Sequence, residues 1–315
     1  MKNCIVLCSL HTVERLNDIL HLTEKCKLDI AFSLNDKHKT NKKLTRLLSR
    51  KPFVVDVTYH SNYGVDIAPF LQQLVRINHR QYPFFIKIHS KQSFWGVKNH
   101  VDWGSVLIDS LIGDKIFCEK NLQILSKDKI GMIGPSSFRM NKQYGHHYDK
   151  ICKVCNQLNI ATKNLDRYGF IAGTMFMSKT QLMQKYLAKD IEYLDSLLIN
   201  EIGKVDDLYY TNGTYCHSME RIFGYIIHHE NKKIHQTVLK TIKIYNAKYR
   251  VLHLHIAYNN LCYITEDVNI YGRILRQSSD SIEIQWLHLN NDPVVKYWIW
   301  NENKSTLSTS LAKIK

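Results

Sequence analysis

The 315-residue chain has no hydrophobic run long enough to cross a membrane and no internal repeat. A membrane-spanning helix needs about 20 consecutive apolar residues, so the sequence argues against an integral membrane protein. The opening residues, MKNCIVLCSLH, are too short for a secretion signal and are typical of a β-strand. We therefore expect reduced cysteines and a cytoplasmic protein, with peripheral attachment to a membrane as an alternative.

Acidic residues are scarce relative to basic ones, with 28 Asp and Glu against 43 Lys and Arg, and the formal net charge is +15. Such a charge can suit nucleic acid or an anionic membrane. However, no arginine-rich block or basic amphipathic helix stands out, so we interpret the charge as spread over the surface. We expect no nucleic-acid partner, and the composition indicates no particular oligomeric state.

Strand and helix patterns alternate along the first half of the chain. Apolar, β-prone segments around residues 3–12, 28–36, 53–62 and 84–90 are separated by amphipathic stretches. This order predicts an α/β fold with a mainly parallel sheet flanked by helices. Ligands bind such sheets at the carboxyl ends of their strands.

The later segments are less regular. Residues 101–126 and 179–199 are typical of helices, 168–179 of one strand, and 139–165 of an irregular excursion. From residue 250 the pattern changes to short strands joined by hairpin signals such as SSDS and NNDP. We expect one domain over residues 1–249 and an antiparallel β appendage with a flexible tail over 250–315.

The first motif, NYGVDIAPF, follows the third predicted strand and opens a helix. One interpretation is structural: Asn62 and Gly64 form a turn, and Asp66 is only an N-cap. The other is that this loop meets a nucleotide at the strand ends.

The second motif, KIHSKQS, ends the fourth predicted strand. Strand alternation places Lys87 and His89 on one side, and Lys91 follows in the loop. These cations suit phosphate oxygens better than a divalent metal, which prefers carboxylates. A solvated loop edge is the alternative.

The third motif, NGTYCHSMER, opens a helix that Thr214 is placed to cap. His217, Glu220, Arg221 and Gly224 share the face opposite the apolar stripe. This face offers an acid, a base, a cation and a gap for a ligand. The alternative is a solvent-exposed face.

A fourth pattern, Cys152-x-x-Cys155 with His146 and His147 upstream, matches zinc-ligand types but not a standard zinc spacing. We therefore expect no metal there and leave it as an alternative.

The motifs NYGVDIAPF, KIHSKQS, GMIGP, AGTMF and NGTYCHSMER, with Trp103, follow one another in the order typical of a known family. The chain thus resembles the rhamnan synthesis protein F family over residues 53–230. This resemblance implies a GT-A-like glycosyltransferase, which would move a sugar, such as rhamnose or another deoxyhexose, from a nucleoside diphosphate to a glycan acceptor in polysaccharide biosynthesis.

Residue roles follow from the resemblance together with the chemistry of the side chains. Glu220 would be the general base, with Asp66 as the alternative. Gly173, Thr174 and His217 would lie on the acceptor side. In related folds an Asp-x-Asp motif after the fourth strand holds a metal, whereas this chain has His89, Ser90 and Lys91 in that place. We therefore expect no cofactor. A divalent metal, Mn or Mg, is the less favoured alternative. The donor-binding residues would be Ser9, Asn62, Gly64, Asp66, Lys87, His89, Lys91 and Arg221.

The chain departs from the family pattern at Val65, where the family has Arg, and at Asn212, where it has Asp. These departures motivate a second hypothesis: a catalytically inactive protein of the same fold that binds glycans or nucleotide sugars.

Overall fold

The computed structural model describes most of the chain. The described residues are 3–61, 63–90, 103–135, 139–141, 147–163, 165, 168–201, 213–237, 240–245, 251–256, 261–264, 267–278, 281–286 and 294–299. Within them the strands are β1 (Cys4–Leu10), β2 (Asp29–Asn35), β3 (Val54–His60), β4 (Phe84–His89), β5 (Ile130–Pro135), β6 (Arg139–Asn141), β7 (Gly169–Ile171), β8 (Phe176–Lys179), β9 (Lys233–Thr237), β10 (Lys240–Tyr245), β11 (Val251–Ile256), β12 (Leu261–Ile264), β13 (Asp267–Gln277), β14 (Ser281–Trp286) and β15 (Val294–Ile299).

Helices connect most of the strands in the first two thirds of the chain. They are α1 (Leu16–Lys25), α2 (Lys42–Ser49), α3 (Ile67–Arg76), α4 (Trp103–Ile112), α5 (Lys115–Leu125), α6 (Tyr148–Gln157), α7 (Thr180–Leu187), α8 (Ile191–Ile199) and α9 (Tyr215–His229), with a 3-10 helix at Asp36–His38. Among the described residues, none of these helices has the length and apolar character needed to cross a membrane.

The main sheet has the strand order β3-β2-β1-β4-β8-β5-β9. Only β8 runs antiparallel to its neighbours β4 and β5. All seven residues of β1 are buried, because helices cover both faces of a parallel sheet. The α/β class with a mainly parallel, helix-flanked sheet is therefore confirmed.

Several predicted elements are divided in the structure. The helix expected over 101–126 is two helices, because the Asp114 side chain caps a new one by accepting a hydrogen bond from Phe117 N at 2.7 Å. The strand expected over 168–179 is β7 and β8, since Gly173 and Thr174 both have positive φ, 78° and 53°. The stretch 139–165, expected to be irregular, contains β6 and α6.

The strands β10 to β15 pair in antiparallel fashion and close into a barrel through β10 and β15. An antiparallel C-terminal unit was expected, but it includes β10 and thus begins ahead of residue 250. The division into domains at residue 249 stays a prediction, and the expected flexible tail lies outside the described residues.

Candidate functional site

The carboxyl ends of the parallel strands bring the sequence-predicted polar residues to one edge of the sheet. Ser9 pairs in register with His89, and Asn35 pairs with His60. Ser90, directly after β4, connects this strand to the segment that follows β1, because its Oγ accepts hydrogen bonds from His11 N at 2.9 Å and Thr12 N at 3.2 Å. Two of the expected donor-binding residues, Asn62 and Lys91, lie outside the described residues.

The loop before α3 turns through two left-handed residues, Gly64 with φ 61° and Val65 with φ 54°. A Cβ atom on Gly64 would lie 2.6 Å from the Cβ of Ala68, so glycine is required there. Asp66 occupies the N-cap position, yet its side chain makes no capping hydrogen bond. The interpretation of Asp66 as only an N-cap is therefore wrong.

The Asp66 carboxylate instead binds Lys87. The Lys87 ammonium, on a side chain 1% exposed, donates to Asp66 Oδ2 and, at 3.0 Å, to Thr174 Oγ1. The Thr174 hydroxyl also donates to Asp66 Oδ2. We expected Lys87 to face a phosphate; in the structure its ammonium is held inside the protein by these partners.

Gly173 connects the second half of the cluster. Its N–H donates to Glu220 Oε1 at 2.6 Å, and its carbonyl accepts from His89 Nε2 at 2.9 Å. The same His89 Nε2 lies 3.9 Å from Asp66 Oδ2. The turn at residues 173 and 174 therefore links both carboxylates, the lysine and the histidine into one hydrogen-bonded cluster, which we name the carboxylate cluster (Asp66, Lys87, His89, Gly173, Thr174 and Glu220).

Helix α9 supplies Glu220 to this cluster. Thr214 caps the helix as expected, because its Oγ1 accepts from His217 N at 3.2 Å. Arg221 Nη1 donates to the carbonyl of His217 at 2.6 Å and lies 3.4 Å from Glu220 Oε2. Glu220 and Arg221 have side chains only 15% and 11% exposed, so the alternative of a solvent-exposed face is wrong.

The expected gap at Gly224 has a packing role. A Cβ atom there would lie 2.2 Å from the carbonyl oxygen of Gly169, so the glycine lets α9 approach β7 closely. The space that we expected to admit a ligand is filled by the backbone of β7.

The two carboxyl groups of the cluster have opposite pKa shifts. Burial alone would raise the pKa of Asp66, but the Lys87 ammonium, His89 and the Thr174 hydroxyl together bring it well below the usual carboxyl range. Burial raises the pKa of Glu220, which the Arg221 guanidinium and the Gly173 N–H only partly offset. Burial also lowers the pKa of Lys87, against the opposing attraction of Asp66. A pair of carboxyl groups separated in this way is typical of sites where one is a fixed anion and the other exchanges a proton.

No group of three or more His, Cys, Asp or Glu side chains among the described residues is arranged to hold a metal ion. Cys152 and Cys155 are free thiols on α6, and Cys155 is buried. His147 packs its ring 5.5 Å from that of His217, whereas His146 lies outside the described residues.

Sequence reasoning missed a second polar network beside the same loop. The Tyr63 hydroxyl binds both carboxylate oxygens of Asp195 at 3.0 Å, and Gln72 Nε2 donates to the Tyr63 oxygen at 2.7 Å. The His60 ring lies 4.6 Å from the Tyr63 ring. Tyr63 lies within the first motif, but no local signal pairs it with a residue of α8.

Comparisons with known proteins give three results. A structural match is mouse xyloside xylosyltransferase 1 in its apo form, at 10% identity and a TM-score of 0.33, over 73% of this chain and 84% of that chain. A TM-score this low supports no conclusion about fold or activity. No curated protein matches the chain. The family model described as rhamnan synthesis protein F matches residues 1–232. This match covers the carboxylate cluster and six of the seven strands of the main sheet, all but β9, and the chain therefore belongs to the rhamnan synthesis protein F family.

Proposed function

We propose that this protein is a glycosyltransferase that moves a sugar from a nucleoside-diphosphate donor to a glycan acceptor. Family membership supports the general class, because rhamnan is itself a polysaccharide. The carboxylate cluster is the observation that carries the proposal. The 173–174 turn joins one carboxyl group with a lowered pKa to another with a raised pKa, at the end of the sheet where α/β proteins bind ligands. Rhamnose or another deoxyhexose is the proposed sugar.

Glu220 is the proposed general base. Its pKa is raised towards neutral pH. A general base takes a proton from an acceptor hydroxyl most effectively when its pKa lies near the working pH. Asp66, the alternative base, is poorly suited because its low pKa makes it a weak proton acceptor and its Oδ2 already binds Lys87 and Thr174. Asp66 and Lys87 would therefore position the turn that holds Glu220, and Arg221 would orient the Glu220 carboxylate.

The donor diphosphate would be bound by fixed cations. His89, Arg221 and Lys91 are the candidates, with Ser9, Asn62 and Gly64 on the nucleotide side and His217 with the 173–174 turn on the acceptor side. Positioned cations can stabilise a departing diphosphate as a metal does elsewhere. A metal at Asp66 Oδ2 would have to displace the Lys87 ammonium from that oxygen.

Thermal-shift measurements with UDP-, GDP- and dTDP-sugars test this proposal. A donor that binds only the folded state raises the apparent melting temperature, and we expect the shift to persist when EDTA is added. The matched control is a glycosyltransferase that carries an Asp-x-Asp motif, whose shift should disappear with EDTA. A shift in this protein that is lost on chelation and restored by manganese would contradict metal-free donor binding.

A catalytically inactive binding protein is the second candidate. Val65 and Asn212 favour it, because each replaces a charged residue of the family pattern. Hydrolysis or transfer of a donor sugar by the purified protein separates the two, since a binding protein would show the thermal shift without turnover.

Removal of the C-terminal barrel should leave donor affinity unchanged. The family match ends at residue 232, and β9, which ends at Thr237, completes the main sheet. We therefore place the truncation after Thr237, because a cut at 248 would leave β10 without its partners β11 and β15. Donor affinity measured by calorimetry, beside the full chain, checks this expectation. A folded truncated protein that no longer binds donor would assign part of the donor site to the barrel.

A further inference from the structure

The segment over residues 36–51 is strongly basic. It holds seven Lys and Arg residues against a single acid, Asp36. It comprises the 3-10 helix after β2 and the whole of α2, and we name it the basic segment. This concentration differs from the even spread of charge that the composition suggested.

Most cations of the basic segment are exposed and unpaired. Lys51 pairs with Glu24 at 3.2 Å. Within the part of the chain that the structure describes, the other six make no ion pair and are exposed to solvent: Lys37, Lys39, Lys42, Lys43, Arg46 and Arg50. Among the described residues, this positive charge therefore has no acidic partner apart from Glu24.

Helix α2 presents three of these cations in a row on one side. Leu44 and Leu48, 5% and 1% exposed, fix the helix to the body of the protein. Lys42, Arg46 and Arg50 follow at intervals of four residues and so form one row on the opposite side. Like charges at this spacing destabilise a helix. The row of cations therefore does not contribute to the stability of α2 itself. Next to it Leu47 leaves 36% of its surface exposed.

We propose that the basic segment docks this protein on an anionic membrane surface. Clusters of four to eight Lys and Arg residues attract anionic lipid headgroups, and the basic segment holds seven. A flanking apolar side chain such as Leu47 can enter the boundary between headgroups and acyl chains. Single-stranded nucleic acid fits less well, because its binding sites are basic grooves with aromatic side chains for base stacking. The basic segment is a convex helix and contains no aromatic residue.

Docking at this place has a consequence for the candidate active site. The chain passes from the carboxyl end of β2 through the 3-10 helix into α2, so the start of the basic segment lies at the edge of the sheet that carries the carboxylate cluster. A membrane bound along the basic segment would therefore reach that edge at the start of the segment. An acceptor anchored in the membrane could then reach the cluster.

Co-sedimentation with lipid vesicles tests the proposal. The full chain should bind vesicles of phosphatidylcholine mixed with phosphatidylglycerol, fail to bind pure phosphatidylcholine, and dissociate as salt is raised. The variant K42Q/R46Q/R50Q removes the row and keeps Leu44 and Leu48. Each lost cation should weaken binding about fivefold, so the triple variant should bind roughly a hundredfold more weakly.

The matched control is K120Q/K163Q/K189Q, which removes the same charge from three exposed lysines outside the basic segment. It should bind vesicles nearly as well as the wild type. Equal loss in both variants, or no loss in the first, would overturn the proposal. Tighter binding to a short DNA duplex than to anionic vesicles at the same salt would assign the helix to nucleic acid and also overturn it. Unchanged unfolding midpoints show that both variants remain folded.

Discussion

Replacement of Glu220 by Gln should lower the rate of sugar transfer by about two to four orders of magnitude while donor affinity changes little. Gln has nearly the same shape as Glu, and its amide oxygen can still accept the Gly173 N–H that binds Glu220 Oε1 at 2.6 Å. It cannot take a proton from the acceptor hydroxyl. Steady-state kinetics with donor affinity measured separately should show a fall in kcat alone.

Glu230→Gln is the matched control, because Glu230 lies just beyond the end of the same helix and pairs with Lys185. It should leave kcat unchanged. An E220Q enzyme that turns over at the wild-type rate would return the role of base to Asp66. In that case Asp66→Asn, and not E220Q, would abolish transfer.

The pH dependence of transfer gives an independent check on Glu220. A general base works only when it is deprotonated, and burial raises the pKa of this carboxyl group. Activity should therefore fall as the pH drops through a pKa above the usual glutamate range. An acid limb at the ordinary glutamate pKa would show that another group is being titrated.

Replacement of Lys87 by Met should destabilise the protein by about 3–5 kcal/mol, the range for a buried ion pair that loses one partner. Lys87 is 1% exposed, and its ammonium binds both Asp66 and Thr174, so its removal leaves the Asp66 carboxylate uncompensated inside the protein. Urea unfolding at neutral pH, analysed as a shift in midpoint at constant slope, measures the loss.

A double-mutant cycle isolates the pair. D66N/K87M carries neither charge and should be more stable than K87M alone, because no buried charge is then left without its partner. Lys51→Met serves as the surface control. It breaks the partly exposed pair with Glu24, whose typical contribution is about 1 kcal/mol or less. A K87M loss no larger than that of Lys51→Met would contradict a stabilising role for the buried pair.

Acid should weaken the same pair. The pKa of Asp66 is lower in the folded state than in the unfolded state. Its contribution to the free energy of unfolding is therefore fully present above the unfolded-state pKa, and it is lost as the pH falls through the folded-state pKa. The wild type should therefore lose more stability on acidification than D66N/K87M. Parallel losses in the two proteins would show that other carboxyl groups govern acid unfolding.

The sequence by itself determined the first four strands and the edge of the sheet where the candidate site lies. The apolar runs of β1, β2, β3 and β4 and the turn signals after them are local features, and parallel pairing then brings residues such as Ser9 and His89 side by side. The Thr214 cap and the apolar stripe of α9 were likewise predicted, because capping and helical periodicity act over a few neighbouring residues.

Only the tertiary structure decided which polar groups bind one another. Lys87 binds a carboxylate 21 positions earlier in the chain, and Gly173 binds one 47 positions later. Neither pairing has a local signal: each depends on strand order, on the left-handed turn at residues 173 and 174, and on the close approach of α9 to β7 at Gly224. Composition cannot indicate the opposite pKa shifts of the two carboxyl groups either. Desolvation raises the pKa of Glu220, whereas Lys87 and the other partners placed against the equally buried Asp66 outweigh desolvation and lower the pKa of that carboxyl group.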